Sequence, residues 1–252
     1  MSNKKIIDSF IQKEELNPKF WKDDKLNPKV REKLMKIAEE FIDFLEVPIV
    51  VEDIIFIGSL TNYGWSEYSD IDLHISCDYD QFPKDLKKLY EELFLVKKTI
   101  FNLNHDIKIF GYDVELYVED SNVGNYSNGA YSILYDSWNI KPEKENKKLD
   151  KELLEKKIGY WSSLIDTVID NASSNDLKSS LEYVKCIKDK LSKYRKKGLS
   201  TGGELSIENL VFKYLRRSGH IEKLKSLKDD IIDKQLSLAE RYIKMNKKNK
   251  IL

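Results

Sequence analysis

Two carboxylates and a Gly-Ser pair stand ten residues apart in the segment FIGSLTNYGWSEYSDIDLHIS, residues 56–76. Asp70 and Asp72 flank Ile71, and the run IDLHIS alternates apolar and polar residues as a half-buried strand does. Alternation sends Asp70, Asp72 and His74 to one face and Ile71, Leu73 and Ile75 to the other. Side chains two apart on a strand lie about 7 Å from each other, close enough for two carboxylates to raise one another's proton affinity unless a cation neutralises them. Oxygen-only donors suit a hard divalent ion, Mg²⁺ or Mn²⁺, which keeps waters and takes phosphate oxygens as its remaining ligands.

A third acid is expected on a neighbouring strand with apolar residues on either side. The run YDVELYV supplies Glu115 between Val114 and Leu116, with Asp113 two residues earlier on the same face; both stay open, and Glu115 is preferred for its apolar neighbours. Gly58 lacks a Cβ and lets backbone approach a phosphate closely, and Ser59 adds a hydroxyl and can open the next helical turn. His74 reads as an ordinary polar contact at the strand end. Tyr63, Trp65 and Tyr68 in the spacer read as caps on a core rather than base-stacking groups, whereas Tyr131 and Ser132 are expected to border a base pocket.

These residues need elements to hold them. The run VREKLMKIAEEFIDFL carries a helical stripe at Leu34, Ile37, Phe41 and Leu45, and residues 83–101 form a second helix opened by Pro83. The β-branched run PIVVEDIIFIG and the run IDLHIS read as strands bracketing the Gly-Ser to Asp-x-Asp segment, and DIKIF, YDVELYV and the pair in YSILYDSWNIKP complete a sheet. From about residue 149 the strand signal ends and four helical segments follow. The polar, Pro-opened run 141–148 marks the boundary, giving a domain over residues 1–142, with an N-terminal helical extension, and a helical domain over 143–252. The fold class is α+β, a small mixed sheet with flanking helices followed by an all-α lobe.

Within that lobe, TGGELSIENLVFKYLRRSGH gives an N-cap at Ser206, an apolar stripe through Leu210, Val211, Tyr214 and Leu215, and a polar face with Asn209, Lys213 and Arg216 at helical spacing. Lys213 and Arg216 are the candidates to meet a polyphosphate. The 252 residues carry no net charge, but residues 183–252 hold 19 Lys/Arg against 8 Asp/Glu, so +11 there balances −11 before it. Two cysteines, Cys77 and Cys186, in no Cys/His cluster, signal neither a disulfide framework nor a zinc site. The longest apolar stretch is broken by Glu46, Glu52 and Asp53, and the first fifteen residues lack a signal-peptide core. A cytoplasmic protein with no membrane role is expected.

The segment from Val50 to Val118 resembles the DNA polymerase beta-like nucleotidyltransferase superfamily. Its pattern, an apolar residue, Gly and Gly or Ser, a spacer of nine to thirteen residues, then Asp-apolar-Asp/Glu-apolar, is met by Ile57-Gly58-Ser59, the ten residues Leu60 to Ser69, and Asp70-Ile71-Asp72-Leu73. Val114-Glu115-Leu116 stands at the third acid, with Glu where the family more often has Asp. The resemblance implies a palm-type catalytic domain in which Asp70, Asp72 and Glu115 are catalytic and hold Mg²⁺ or Mn²⁺, Gly58 and Ser59 bind the triphosphate of an NTP, ATP by default, and a nucleoside monophosphate passes to a hydroxyl. The acceptor stays open between an RNA end, a small molecule and a protein side chain. Two other readings accompany it: a non-catalytic nucleotide- or partner-binding protein of the same fold, and a toxin-antitoxin component that nucleotidylates its partner.

Overall fold

The computed structural model describes residues 3–123, 128–145, 149–172 and 176–248, with side chains as far as residue 237. It divides into two compact units, one of residues Ser9–Asn146 and one of Met1–Asp8 together with Lys147–Leu252. The short helix α1, Asn3–Asp8, thus belongs with the helical lobe rather than with the sheet: it packs on the helix of residues 207–217, and Asp8 bonds Lys151 at 2.9 Å.

The sheet unit opens with a two-stranded ribbon, β1 Trp21–Lys22 and β2 Lys25–Leu26, turned by Asp23 and Asp24 at positive φ. Helix α2, Pro28–Leu45, starts on the side chain of Asn27, which accepts from the Lys29 amide at 3.0 Å, and has Pro28 in its first turn, where no amide partner is needed. Its stripe of Val30, Leu34, Ile37, Phe41 and Leu45 is buried. Strands β3 Val51–Ile57 and β4 Ile71–Cys77 pair antiparallel; helix α3, Lys87–Asn104, carries the chain over to the short β5 Lys108–Ile109 and to β6 Tyr112–Asp120. Pro83 opens a turn closed by the Leu86 amide, so α3 begins four residues later than Pro83 suggests. Because a helical crossover separates them, β4 and β6 run parallel. Strands β7 Ala130–Ser132 and β8 Ser137–Ile140 form the closing hairpin, and the six-stranded mixed sheet has the order β5-β6-β4-β3-β7-β8.

One face of the sheet, Phe56, Ile71, Leu73, Ile75, Val114 and Leu116, joins Phe20, Leu34, Phe41, Phe94 and Phe101 in one core. That leaves the opposite pleat of β4 and β6 for polar groups. Tyr131 and Ser132 lie in the core of the hairpin instead of at a pocket: both are buried, Tyr131 donates to Asp136 and Ser132 to Asp53. Tyr63 and Trp65 pack against the core as caps.

In the helical unit, α4 Lys151–Asn171 is capped by Asp150, α5 Leu177–Gly202 by Asp176 and α6 Ile207–Arg217 by Ser206, with α7 spanning His220–Lys248. Their buried stripes meet through Leu154, Trp161, Ile165, Val184, Leu191, Leu210, Val211 and Leu215. Among the described residues the architecture is α+β, a mixed six-stranded sheet with seven α-helices. None of the described helices is long and apolar enough to cross a membrane.

Candidate active site

At the end of β3 the chain turns sharply at Gly58, whose φ of 93° and ψ of −167° lie in a region essentially closed to other residues. A Cβ there would sit 2.4 Å from the Asp72 Oδ2, so the Asp72 carboxylate rests directly against the Gly58 backbone. The turn is fixed from below. The Gly58 carbonyl accepts from the Thr61 hydroxyl at 2.8 Å, the Thr61 amide at 3.2 Å and the Asn62 side chain at 3.2 Å, and the same side chains reach the carbonyls of Gly129 and Asn128. Ser59 is half-buried and its hydroxyl bonds that of Ser69 at 2.7 Å, which pins the two ends of the ten-residue spacer together.

Asp70 immediately precedes β4, and the strand register sets Asp72 beside Ile57 on one side and Glu115 on the other. Adjacent strands lie about 4.8 Å apart, so Asp72 and Glu115 stand side by side on one face of the sheet. Asp113 is on that face too, but it is held in an ion pair with Lys108 of β5 and its side chain is 65 % exposed. Glu115 is therefore the acid that the register joins to Asp72.

Further along the same face come His74, Tyr117 and Glu119. The Tyr117 hydroxyl donates to Glu115 Oε2, and its ring stacks on His74, whose Nδ1 is 2.6 Å from Glu119 Oε2. The Lys98 ammonium, from α3, lies 3.4 Å from the centre of the Tyr117 ring. Burial, then the bond to Glu115, then the charges of Glu115, Asp72 and Asp70 all push the Tyr117 phenol well above its ordinary value. Burial pulls the Lys98 amine down, opposed by the attraction of Glu115 and Asp72. The face thus carries Asp70, Asp72, Asp113, Glu115 and Glu119, with His74, the Tyr117 phenol and the Lys98 ammonium packed among them.

Among the described residues, no group of three or more His, Cys, Asp or Glu side chains is drawn closely enough together to form a finished metal site. The donor set nonetheless fits a hard divalent ion: its members are carboxylates on one face, Asp72 and Glu115 are register partners, and glycine at 58 lets the Asp72 carboxylate rest against the turn where any Cβ would clash with it.

Lys213 and Arg216 lie in the other unit, on α6. The Lys213 ammonium is 3.7 Å from Glu204 Oε2, and its affinity for a proton is lowered by burial and by the cations Arg217, Arg216 and Arg195, against the pull of Glu204. Arg195 stacks on Phe212 with 4.3 Å between guanidinium and ring centre and donates to Asn209 at 3.2 Å. Asn209, on the polar face by sequence spacing, is buried and also donates to the Glu204 carbonyl at 2.7 Å, which makes it a brace for this basic cluster.

Three members of this face, Tyr117, Glu119 and Lys98, were not expected. Tyr117 had a signal, its spacing of two from Glu115 on an alternating strand. Lys98 had none, since nothing in a helical run of mixed charge says which lysine leans over a neighbouring strand. Comparison of the chain with protein-family models, with curated proteins and with solved structures finds no match.

Proposed function

We propose that this chain is a metal-dependent nucleotidyltransferase that moves a nucleoside monophosphate from an NTP to an acceptor hydroxyl and releases pyrophosphate. The observation that carries the reading is the pairing of Asp72 with Glu115 across parallel strands, with Asp70 two residues earlier and the Gly58 turn against the Asp72 carboxylate. Asp70, Asp72 and Glu115 would hold Mg²⁺ or Mn²⁺. A divalent cation so held supplies a lowered pKa for the acceptor hydroxyl and charge stabilisation for the departing pyrophosphate.

The chain's own groups do the rest. The Gly58–Ser59 turn offers close backbone approach and a hydroxyl to the β and γ phosphates, and its three inward bonds to Thr61 and Asn62 keep it from shifting as the phosphates arrive. Tyr117 holds one Glu115 oxygen and leaves the other for a ligand. Lys98 offsets the charge of the acidic pair.

The test uses each common NTP labelled at the α or the γ phosphate, with Mg²⁺ or Mn²⁺, in the presence of total RNA, of protein lysate or of small-molecule extract. Label from the α position, and none from the γ position, is expected on one acceptor class, which identifies the acceptor; Asp70→Asn and Asp72→Asn abolish it. Absence of α-label on every acceptor from a folded, NTP-binding protein refutes the proposal.

A further inference from the structure

Helix α3 carries two apolar faces, although covering the sheet requires one. Phe94 and Phe101 form the first, buried against Tyr79, Phe82, Phe41 and Phe44. The second starts at the N-cap, Leu86, and runs along the helix through Leu89, Leu93, Val96, Ile100 and Leu103, spaced three, four, three, four and three residues apart. That is a heptad seam with Leu86, Leu93 and Ile100 at a and Leu89, Val96 and Leu103 at d. Five of the six seam residues are left open by the protein: Leu89 is 59 % exposed, Val96 53 % and Leu103 80 %, with Leu86 and Ile100 exposed as well, while Leu93 is half-buried.

From these residues we infer that α3 is a dimerisation helix, and that its seam is covered by α3 of a second copy of this chain in a parallel, two-fold-symmetric coiled coil. Two observations select that occupant. The period of 3.5 residues, sustained without a polar residue in the seam, is the one that keeps two helices in register along their length; a globular partner surface would ask for no such repeat. The exposed area agrees: the seam leaves on the order of 500 Å² apolar, at the upper end of what monomers expose, and with its polar margins approaches the roughly 800 Å² each partner gives to a stable pair.

The margins choose the direction. Glu92 occupies g of the first heptad and Lys97 occupies e of the next, so a parallel pair sets Glu92 of each copy beside Lys97 of the other, twice by symmetry. Lys97 is already held by Glu46 and the Phe44 carbonyl, which fixes its ammonium, while Glu92 is exposed and only loosely paired with Lys88 at 3.9 Å. The next such pair, Thr99 with Asn104, is polar and uncharged. An antiparallel pair would bring g to g, and Glu92 to its own copy.

Sedimentation equilibrium on the full chain, with Leu89→Glu/Val96→Glu as the disrupting variant, tests this. Both positions are exposed in the single chain, so the variant keeps the wild-type circular dichroism and, at dilutions where the wild type is monomeric, its melting midpoint. The wild type is expected to dimerise, and the variant to raise the dimer dissociation constant roughly 100-fold or more, each substitution counting twice. Direction is read separately: with Cys186→Ser removing the exposed native thiol, Leu103→Cys crosslinks to itself under mild oxidation. A wild type that is monomeric at roughly 100 µM overturns the inference. So does a dimer that the double substitution leaves intact, or a crosslink from Leu103→Cys that forms only when Leu86→Cys is also present, the antiparallel result.

Discussion

Replacing Gly58 by alanine should injure the protein in two separable ways. The first is conformational: at φ 93° and ψ −167° a Cβ costs about 1–3 kcal/mol wherever it is placed. The second is steric and specific, because the new methyl carbon would stand 2.4 Å from Asp72 Oδ2 and 3.4 Å from its carboxyl carbon, and relieving such overpacking typically costs about 1–3 kcal/mol more. Together they amount to about 4 kcal/mol, a drop of roughly 14 °C in the melting midpoint of a unit this size. Asp72→Ala removes the two close atoms and leaves only a Cβ at 3.7 Å, an ordinary contact. In that background Gly58→Ala should cost only the conformational part, so the double-mutant cycle yields a coupling of about 2 kcal/mol. Gly111→Ala, at φ 87° with no atom within 4 Å of the added carbon, reports conformational cost without a clash. Urea unfolding of the four variants and the Gly111 control supplies every number. If Gly58→Ala is equally costly with and without the Asp72 carboxylate, that carboxylate does not lie on the turn, and the juxtaposition on which the proposed site depends is wrong.

Three other outcomes follow from the same structure. Burial foremost, with Asp120, Glu52 and Asp78 adding to it, pushes the Cys77 thiol from 9.0 up to about 12. A group raised on folding stabilises below its unfolded value and loses that contribution as pH rises toward the folded one, so stability should fall between about pH 9 and 12, and Cys77→Ala should flatten urea midpoints measured at pH 8.5 and 10.5. Asn209→Ala strips Arg195 and the Glu204 carbonyl of a buried partner and should cost about 2–3 kcal/mol, measured by chemical unfolding of the helical unit. Lys213→Met removes a desolvated cation from beside Arg195, Arg216 and Arg217, which remain to offset Glu204; it should raise the melting midpoint of the helical unit, read by a thermal scan.

What the chain states by itself is what local backbone geometry controls. The alternation of IDLHIS and YDVELYV assigns Asp72, His74, Glu115 and Tyr117 to polar faces because strand side chains can only alternate, and the stripe of α2 and the Ser206 cap are equally local. Gly58 is legible too, as an apolar strand ending where only glycine fits the turn. Long-range packing decided the rest. Whether Glu115 or Asp113 stands next to Asp72 depends on a register between strands about forty residues apart, set when α3 crosses over and β5 takes Asp113 through Lys108. Lys98 over Tyr117, Glu119 beneath His74, and α1 in the helical unit are likewise contacts between distant segments. A sequence period fixes which way a side chain points relative to its own strand or helix, but the neighbour it meets is chosen by how whole elements bury their apolar faces together.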